Sequence, residues 1–278
     1  MQKGYNGTLD LIVLPENAIC DENLQDASEK CLPFEGEIHN TFRTKACQHN
    51  TYILVPMFLT KNGILSNAAI LLDRSGDIVG TYHKANPVLP RGATQYEGGV
   101  VVGTEYPVFH CDFGCVGVQI CFDIHFDEGW QTLAEKGAEI VAWPTQSPQI
   151  VQPSARAEKE GYYIISSTWR DNASIFEPSG LIAAQTETHS ILVHQLDLSY
   201  AILPWQPTLQ QGQLFTKHYG DSAGYHYSSR EDRGLFWSND PHLSIGNMVQ
   251  ALGLEHRSEL FARYQRSTQP PRPTSDTK

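Results

Sequence analysis

Residues 115–130 read CVGVQICFDIHFDEGW, and the parsing of this stretch decides the fold. Cys115 to Ile120 form a short apolar run, the pattern of a strand covered on both faces. The spacing from Glu128 to Lys136 predicts a helix that ends at Gly137. AEIVAW (138–143) then predicts another buried strand, and Pro144 opens a loop. Working outward, LIVLP (11–15) and TYILVPMF (51–58) are two more buried-strand runs, with a helix expected over Glu35–Cys47 between them. This β-α-β rhythm makes the expected class α/β.

Ser66–Leu72 and Asp77–Tyr82 flank the turn Asp73-Arg74-Ser75-Gly76 and predict a hairpin, with Lys84 just past its second strand. Further on come a helix over Pro153–Glu160, strands over Tyr162–Thr168 and Asn172–Phe176, the Glu177–Gly180 turn, then LIAAQ and SILVHQL. After Asp197 the composition shifts to Gln, His, Tyr and Gly, with one helical pattern around Ile245–Tyr264 and a polar, Pro-rich end. The expected division is a main domain over 1–200, an extension over 201–266 packing on it or on a subunit interface, and a disordered tail over 267–278.

Composition bounds the function. The 278 residues include 31 acidic and 20 basic side chains, a net charge of −11, which disfavours nucleic acid and anionic membranes as partners. With 40% hydrophobic and 18% charged residues the chain can fill a core. No apolar run approaches the ~18 residues of a membrane span, and MQKGYNGTLD lacks a signal-peptide pattern. A soluble, cytoplasmic protein with reduced thiols is expected, since Cys20, Cys31, Cys47, Cys111, Cys115 and Cys121 are scattered rather than dense. The set His110, Cys111, Cys115, Cys121 and His125 lacks the paired spacing of a structural zinc site, so no metal is expected.

Three reactive residues, Glu16, Lys84 and Cys121, each follow a buried strand, and ligand crevices of α/β sheets lie beyond the carboxyl ends of strands. A cysteine that attacks a carbonyl needs a base, which Glu16 supplies. The developing oxyanion needs donors, such as Lys84 and the Phe122 N–H, each worth about 3–4 kcal/mol. Trp143 and Gln146, in the loop after the strand that follows the helix of the nucleophile, are candidate residues of the acyl pocket.

LIVLPE, YHK and GVQICFDIHFDEGW, in that order, resemble the three catalytic motifs of the nitrilase, or carbon-nitrogen hydrolase, superfamily. The likeness continues through KGAEIVAWPT, SARAEKEGYYIISST and EPSGLIAAQT, covering roughly Asp10 to Asp197. It implies a four-layer α-β-β-α sandwich, homodimers or higher homo-oligomers, and cofactor-free hydrolysis of a small amide or N-carbamoyl substrate through a thioester on Cys121. It also implies a second supporting glutamate, for which Glu97 in QYEGGVVVG is the better match and Glu105 the other. Cys121-Phe122-Asp123 is similar to the amidase and carbamoylase branches rather than to nitrile hydrolases. In carbamoylases the positions matching Ile124 and His125 can meet a substrate carboxylate; of these only His125 is able to pair with an anion. Family members usually carry a strand and a helix ahead of the glutamate strand; fifteen residues precede Glu16, so the fold is expected to lack both and to leave a bare edge. A catalytically silent binding or assembly module is the alternative.

Overall fold

The structure, a computed structural model, describes residues 8–19, 26–186 and 191–267. Cys20 and residues 268–278 of the tail expected over 267–278 lie outside the described residues, while Ser267 is helical. The chain divides into two compact units, Met1–Gln195 and Leu196–Lys278.

In the first unit, β1 (Leu11–Val13), α1 (Ala27–Lys30), α2 (Gly36–His49), β2 (Tyr52–Lys61), β3 (Ile64–Leu72) and β4 (Ile78–His83) come first. The strands form one sheet in the order β1-β2-β3-β4. β1 pairs with β2 in parallel, while β2, β3 and β4 alternate, so β1, β2 and β4 all run the same way. Among the described residues β1 is an edge that pairs with β2 alone. Next come β5 (Val108–Cys111), β6 (Gly114–Val118), α3 (Asp127–Glu135), β7 (Ile140–Thr145), α4 (Val151–Glu160), β8 (Tyr163–Thr168), β9 (Ser174–Phe176) and β10 (Ile182–Gln185). They build a second sheet ordered β10-β9-β8-β7-β6-β5, parallel at its centre through β6, β7 and β8.

Side-chain parity explains the layering. Leu54 of β2, Leu71 of β3 and Tyr82 of β4 face Val118, Ile120 and Ala142 of the second sheet, making a core between the sheets. The neighbours of Leu54, Ile53 and Val55, point outward beneath Phe42 and Ala46 of α2. On the far side Trp130 and Leu133 of α3 and Ala157 of α4 cover Val141, Trp143 and Ile164. The result is helix, sheet, sheet, helix, and it accounts for the unbroken apolar runs of β2 and β7.

Two expectations differ from the structure. Residues 191–197 form no strand, and Ile191 is 82% exposed. An apolar-polar spacing without a neighbouring strand edge has nowhere to send its backbone hydrogen bonds. The second unit contains β11 (Tyr200–Pro204), α5 (Gln213–Tyr219), β12 (Ala223–Ser228) and β13 (Arg233–Ser238), with β13 between its two partners. The single helix expected around Ile245–Tyr264 is there divided into α6 (Ile245–Ala251) and α7 (Arg257–Ser267). Gly253, at φ 66°, takes the left-handed conformation that ends helices. Leu203, Phe215, Phe236 and Met248 close this unit's own core. Among the described residues no helix is long and apolar enough to cross a membrane.

Leu54 is fully buried between the sheets. Leu54→Ala is expected to lower the unfolding free energy by about 2–5 kcal/mol, read by urea titration. A loss below about 1 kcal/mol would contradict the packing described for β2.

Candidate active site

Because β1 and β4 run in the same direction, the chain leaves both at the same end of the first sheet. Glu16 follows β1 and Lys84 follows β4 directly. Cys121 leaves β6 of the facing sheet, and all three line one cavity of about 440 Å³. Lys84 is 2% exposed; its Nζ donates to Glu16 Oε1 at 2.8 Å and to Glu97 Oε1 at 2.6 Å. Asn67 of β3 ties the two acids together: its amide N–H₂ donates to Glu16 Oε1 at 3.0 Å and to Glu97 Oε2 at 2.9 Å.

Glu97 reaches Lys84 through backbone that few side chains accept. It lies in a 3₁₀ turn, Tyr96–Gly98, at φ 43°. The Val88 N–H donates to its carboxylate at 3.0 Å. Downstream, the Gly103 N–H donates to the Lys84 carbonyl at 2.9 Å, and a Cβ at 103 would run into the His83 carbonyl oxygen. Only glycine permits that approach. Glu105 lines a different groove with Lys61 and His83. Of the two acids left open by the sequence, Glu97 is the one on Lys84.

Cys121 also has a positive φ, 43°, at the bend from β6 into the 3₁₀ turn Cys121–His125. The bend is anchored from below. The Trp143 indole N–H donates to the Cys121 carbonyl at 3.1 Å, the Trp130 indole to the Asp123 carbonyl at 2.9 Å, and Arg156 to the Ile124 carbonyl at 3.2 Å. The buried Asp123 carboxylate accepts from the Ile120 N–H and the Tyr82 hydroxyl, each at 2.8 Å, and from the backbone and side chain of Asn86 at 2.8 and 3.0 Å. Burial raises the Asp123 pKa against these donors.

The electrostatics are coupled. Burial opposes the charge on Lys84, but the attraction of Glu16 and Glu97 outweighs it and holds the ammonium well above lysine's ordinary range. Burial pushes the Cys121 thiol up and the Glu16 charge adds to this. Lys84, the Gln146 backbone N–H and the Thr145 side chain offset only part, leaving it at about 11. At neutral pH the resting sulfur is therefore a thiol.

The remaining expected pocket residues separate. Gln146 is on the cavity wall, and its side-chain amide donates to the Glu16 carbonyl at 3.2 Å. Trp143 is fully buried on the helix side of β7 and reaches the site only through the Cys121 backbone. Phe122 and His125 meet edge to face with ring centroids 4.9 Å apart, His125 exposed, and neither lines the cavity. Residues that the sequence did not single out include Asn67, the bracing role of Asp123, and Trp169, whose indole donates to the Glu16 carbonyl at 2.7 Å. A polar residue inside the apolar run of β3 was the available signal for Asn67. Among the described residues no group of three His, Cys, Asp or Glu side chains is arranged to hold a metal ion.

A family model for carbon-nitrogen hydrolases matches residues 2–203. The chain belongs to the carbon-nitrogen hydrolase family, within the nitrilase superfamily. It is 27% identical over 202 residues to a deaminated glutathione amidase of Synechocystis, covering 63% of this chain and 74% of that protein. It is 27% identical over 149 residues to an N-carbamoylputrescine amidase of Solanum lycopersicum, covering 52% and 48%. In fold it is similar to the C. elegans NitFhit protein, with a TM-score of 0.56, 19% identity, and 64% of this chain against 50% of that one. A carbon-nitrogen hydrolase from Helicobacter pylori gives 0.54, 17%, 64% and 73%.

Removing the Glu16 charge lowers the Cys121 pKa, so more thiolate exists at a given pH. Glu16→Gln is therefore expected to speed iodoacetamide labelling of Cys121 between pH 8 and 9, followed by peptide mass spectrometry. Slower labelling in that variant would mean that Glu16 already holds the thiol's proton at rest.

Proposed function

We propose that this chain hydrolyses a non-peptide C–N bond of a small amide or N-carbamoyl compound, with Cys121 as nucleophile, Glu16 as general base and then acid, and Lys84 as the oxyanion donor. The observation that carries this reading is the shared cavity, in which an ammonium pinned between two carboxylates lies on the same wall system as a cysteine at a backbone bend.

Cys121 Sγ attacks the carbonyl carbon while its proton passes to Glu16, and the carbonyl oxygen takes the negative charge opposite Lys84. Glu16 returns the proton to the nitrogen, the C–N bond breaks, and ammonia or an amine leaves a thioester. Water then attacks that thioester, giving a proton to Glu16, which passes it to the departing sulfur as the acid is released. Lys84 keeps its own proton throughout, and Glu97 acts by positioning that ammonium. Gln146 supplies a backbone N–H toward Sγ.

Two further features support an amide over a nitrile. The side-chain oxygens of Asn17 and Asn67, both on the cavity wall, are buried without a hydrogen-bond partner among the described residues. The Asn67 amide orientation follows from its two carboxylate acceptors, so its oxygen is the free end. An amide N–H₂ brings donors to such acceptors and a nitrile brings none. The relatives described above, a deaminated glutathione amidase and an N-carbamoylputrescine amidase, agree with that direction.

The test is ammonia release from short aliphatic amides and N-carbamoyl amino acids. Cys121→Ala is expected to abolish turnover, and Glu16→Gln to lower kcat by about 10²–10⁴. Rapid quenching should trap an acyl group on the Cys121 peptide. Turnover by Cys121→Ala at the wild-type rate would end the proposal.

A further inference from the structure

The cavity wall carries a cation that the proposed reaction does not use. Lys30 closes α1, whose first turn is capped by the Asp26 carboxylate accepting from the Ser28 N–H at 2.9 Å. The chain just beyond is fastened to β2. The Leu32 N–H donates to the Phe58 carbonyl at 3.0 Å, and the Thr60 N–H donates back to Leu32 at 3.0 Å. Ala27 and Cys31 are buried against Phe58 and Val100. The Lys30 stem thus starts from backbone held on both sides. Its Nζ stands 5.3 Å from the centroid of the Phe58 ring, and both residues line the cavity that holds Cys121.

Lys30 has no carboxylate within ion-pair distance among the described residues, and the two acids on the cavity wall, Glu16 and Glu97, are both engaged by Lys84. Those three charges sum to −1, which by itself repels an anion from the cavity. Lys30 cancels that charge and adds a local donor on a partly apolar wall, where a charge-assisted hydrogen bond is stronger than in bulk water. The ring of Phe58 holds the ammonium without satisfying its hydrogen-bonding capacity.

We infer that Lys30 determines specificity, and that the substrate is an amide with a carboxylate on its acyl part, held by Lys30 while Cys121 works on the other end. This rests on the amidase reading above. The acyl side is chosen because that fragment stays bound as the thioester until water arrives, whereas the nitrogen side must depart first.

The experiment compares glutaramate with pentanamide, which differ by a carboxylate in place of a methyl group. In wild type the kcat/KM ratio is expected to favour glutaramate. In Lys30→Met that ratio should fall roughly 10- to 100-fold, mainly through KM, and Lys30→Arg should restore much of it. A ratio unmoved by Lys30→Met overturns the inference and leaves the amidase reading standing. Glutarate binding by calorimetry to Cys121→Ala, with and without Lys30→Met, decides the case in which wild type turns over neither amide. Weakening by roughly tenfold or more then supports Lys30 recognition; equal or absent binding overturns the inference, and the amidase reading is decided separately by the Cys121→Ala assay.

Discussion

A lysine ammonium that is 2% exposed keeps its charge only if the protein surrounds it with opposite charge, and this requirement organises the site. Lys84 recruits one carboxylate from the loop after β1 and another from the turn before Gly98, segments far apart in sequence. Losing either partner would leave a buried charge undercompensated, at a cost of order 3–5 kcal/mol. The left-handed Glu97, the close passage of Gly103 over His83 and the bridging amide of Asn67 all serve the same pairing. Each is locally unfavourable or unusual, and each makes sense once the ammonium is fixed.

The cysteine is placed by a different device. A non-glycine residue at φ 43° carries strain of order 1–3 kcal/mol and persists where its surroundings over-determine it. Here the carbonyls of Cys121, Asp123 and Ile124 are gripped by Trp143, Trp130 and Arg156, which belong to β7, α3 and α4. The outer helical layer covers the second sheet and also fixes the sulfur's position from below. Asp123 completes the anchor by binding back to β4 through Tyr82, so the cysteine bend and the strand that ends in the lysine are held by one buried carboxylate.

Glu16 and Cys121 were legible because each follows an apolar run, and Lys84 because it follows the second strand of a hairpin marked by its turn residues; strands that run the same way bring their exits to the same end of a sheet. The hairpin of β3 and β4 and the helix α2 were legible from turn residues and spacing. Trp143 was assigned to the pocket from its place near a loop, yet strand parity argues otherwise: Ala142 faces the other sheet, so Trp143 must face the helices. Lys30 lies in a segment without periodicity, and its position depends on a single bridge from Leu32 to β2 that no local pattern announces. In the second unit the core-facing residues of β12 are Ala223, Tyr225 and Tyr227, a face without a branched aliphatic side chain, which no apolar run announces.

The protonation state of the site follows from the same ion pair. A thiolate already formed at rest would place its proton on Glu16, and Lys84 would then face one anionic carboxylate fewer within its buried contacts. Burial and the neighbouring Glu16 instead push the Cys121 thiol up to about 11, which keeps it protonated at neutral pH. Attack on a carbonyl changes the balance, since negative charge moves from Glu16 to the oxyanion while remaining beside the ammonium. In the proposed reaction the total charge around Lys84 stays constant as the proton shifts, so the buried cation is never left unpaired. That constancy makes a protonated cysteine compatible with nucleophilic catalysis, and the second step repeats it with water in place of the thiol.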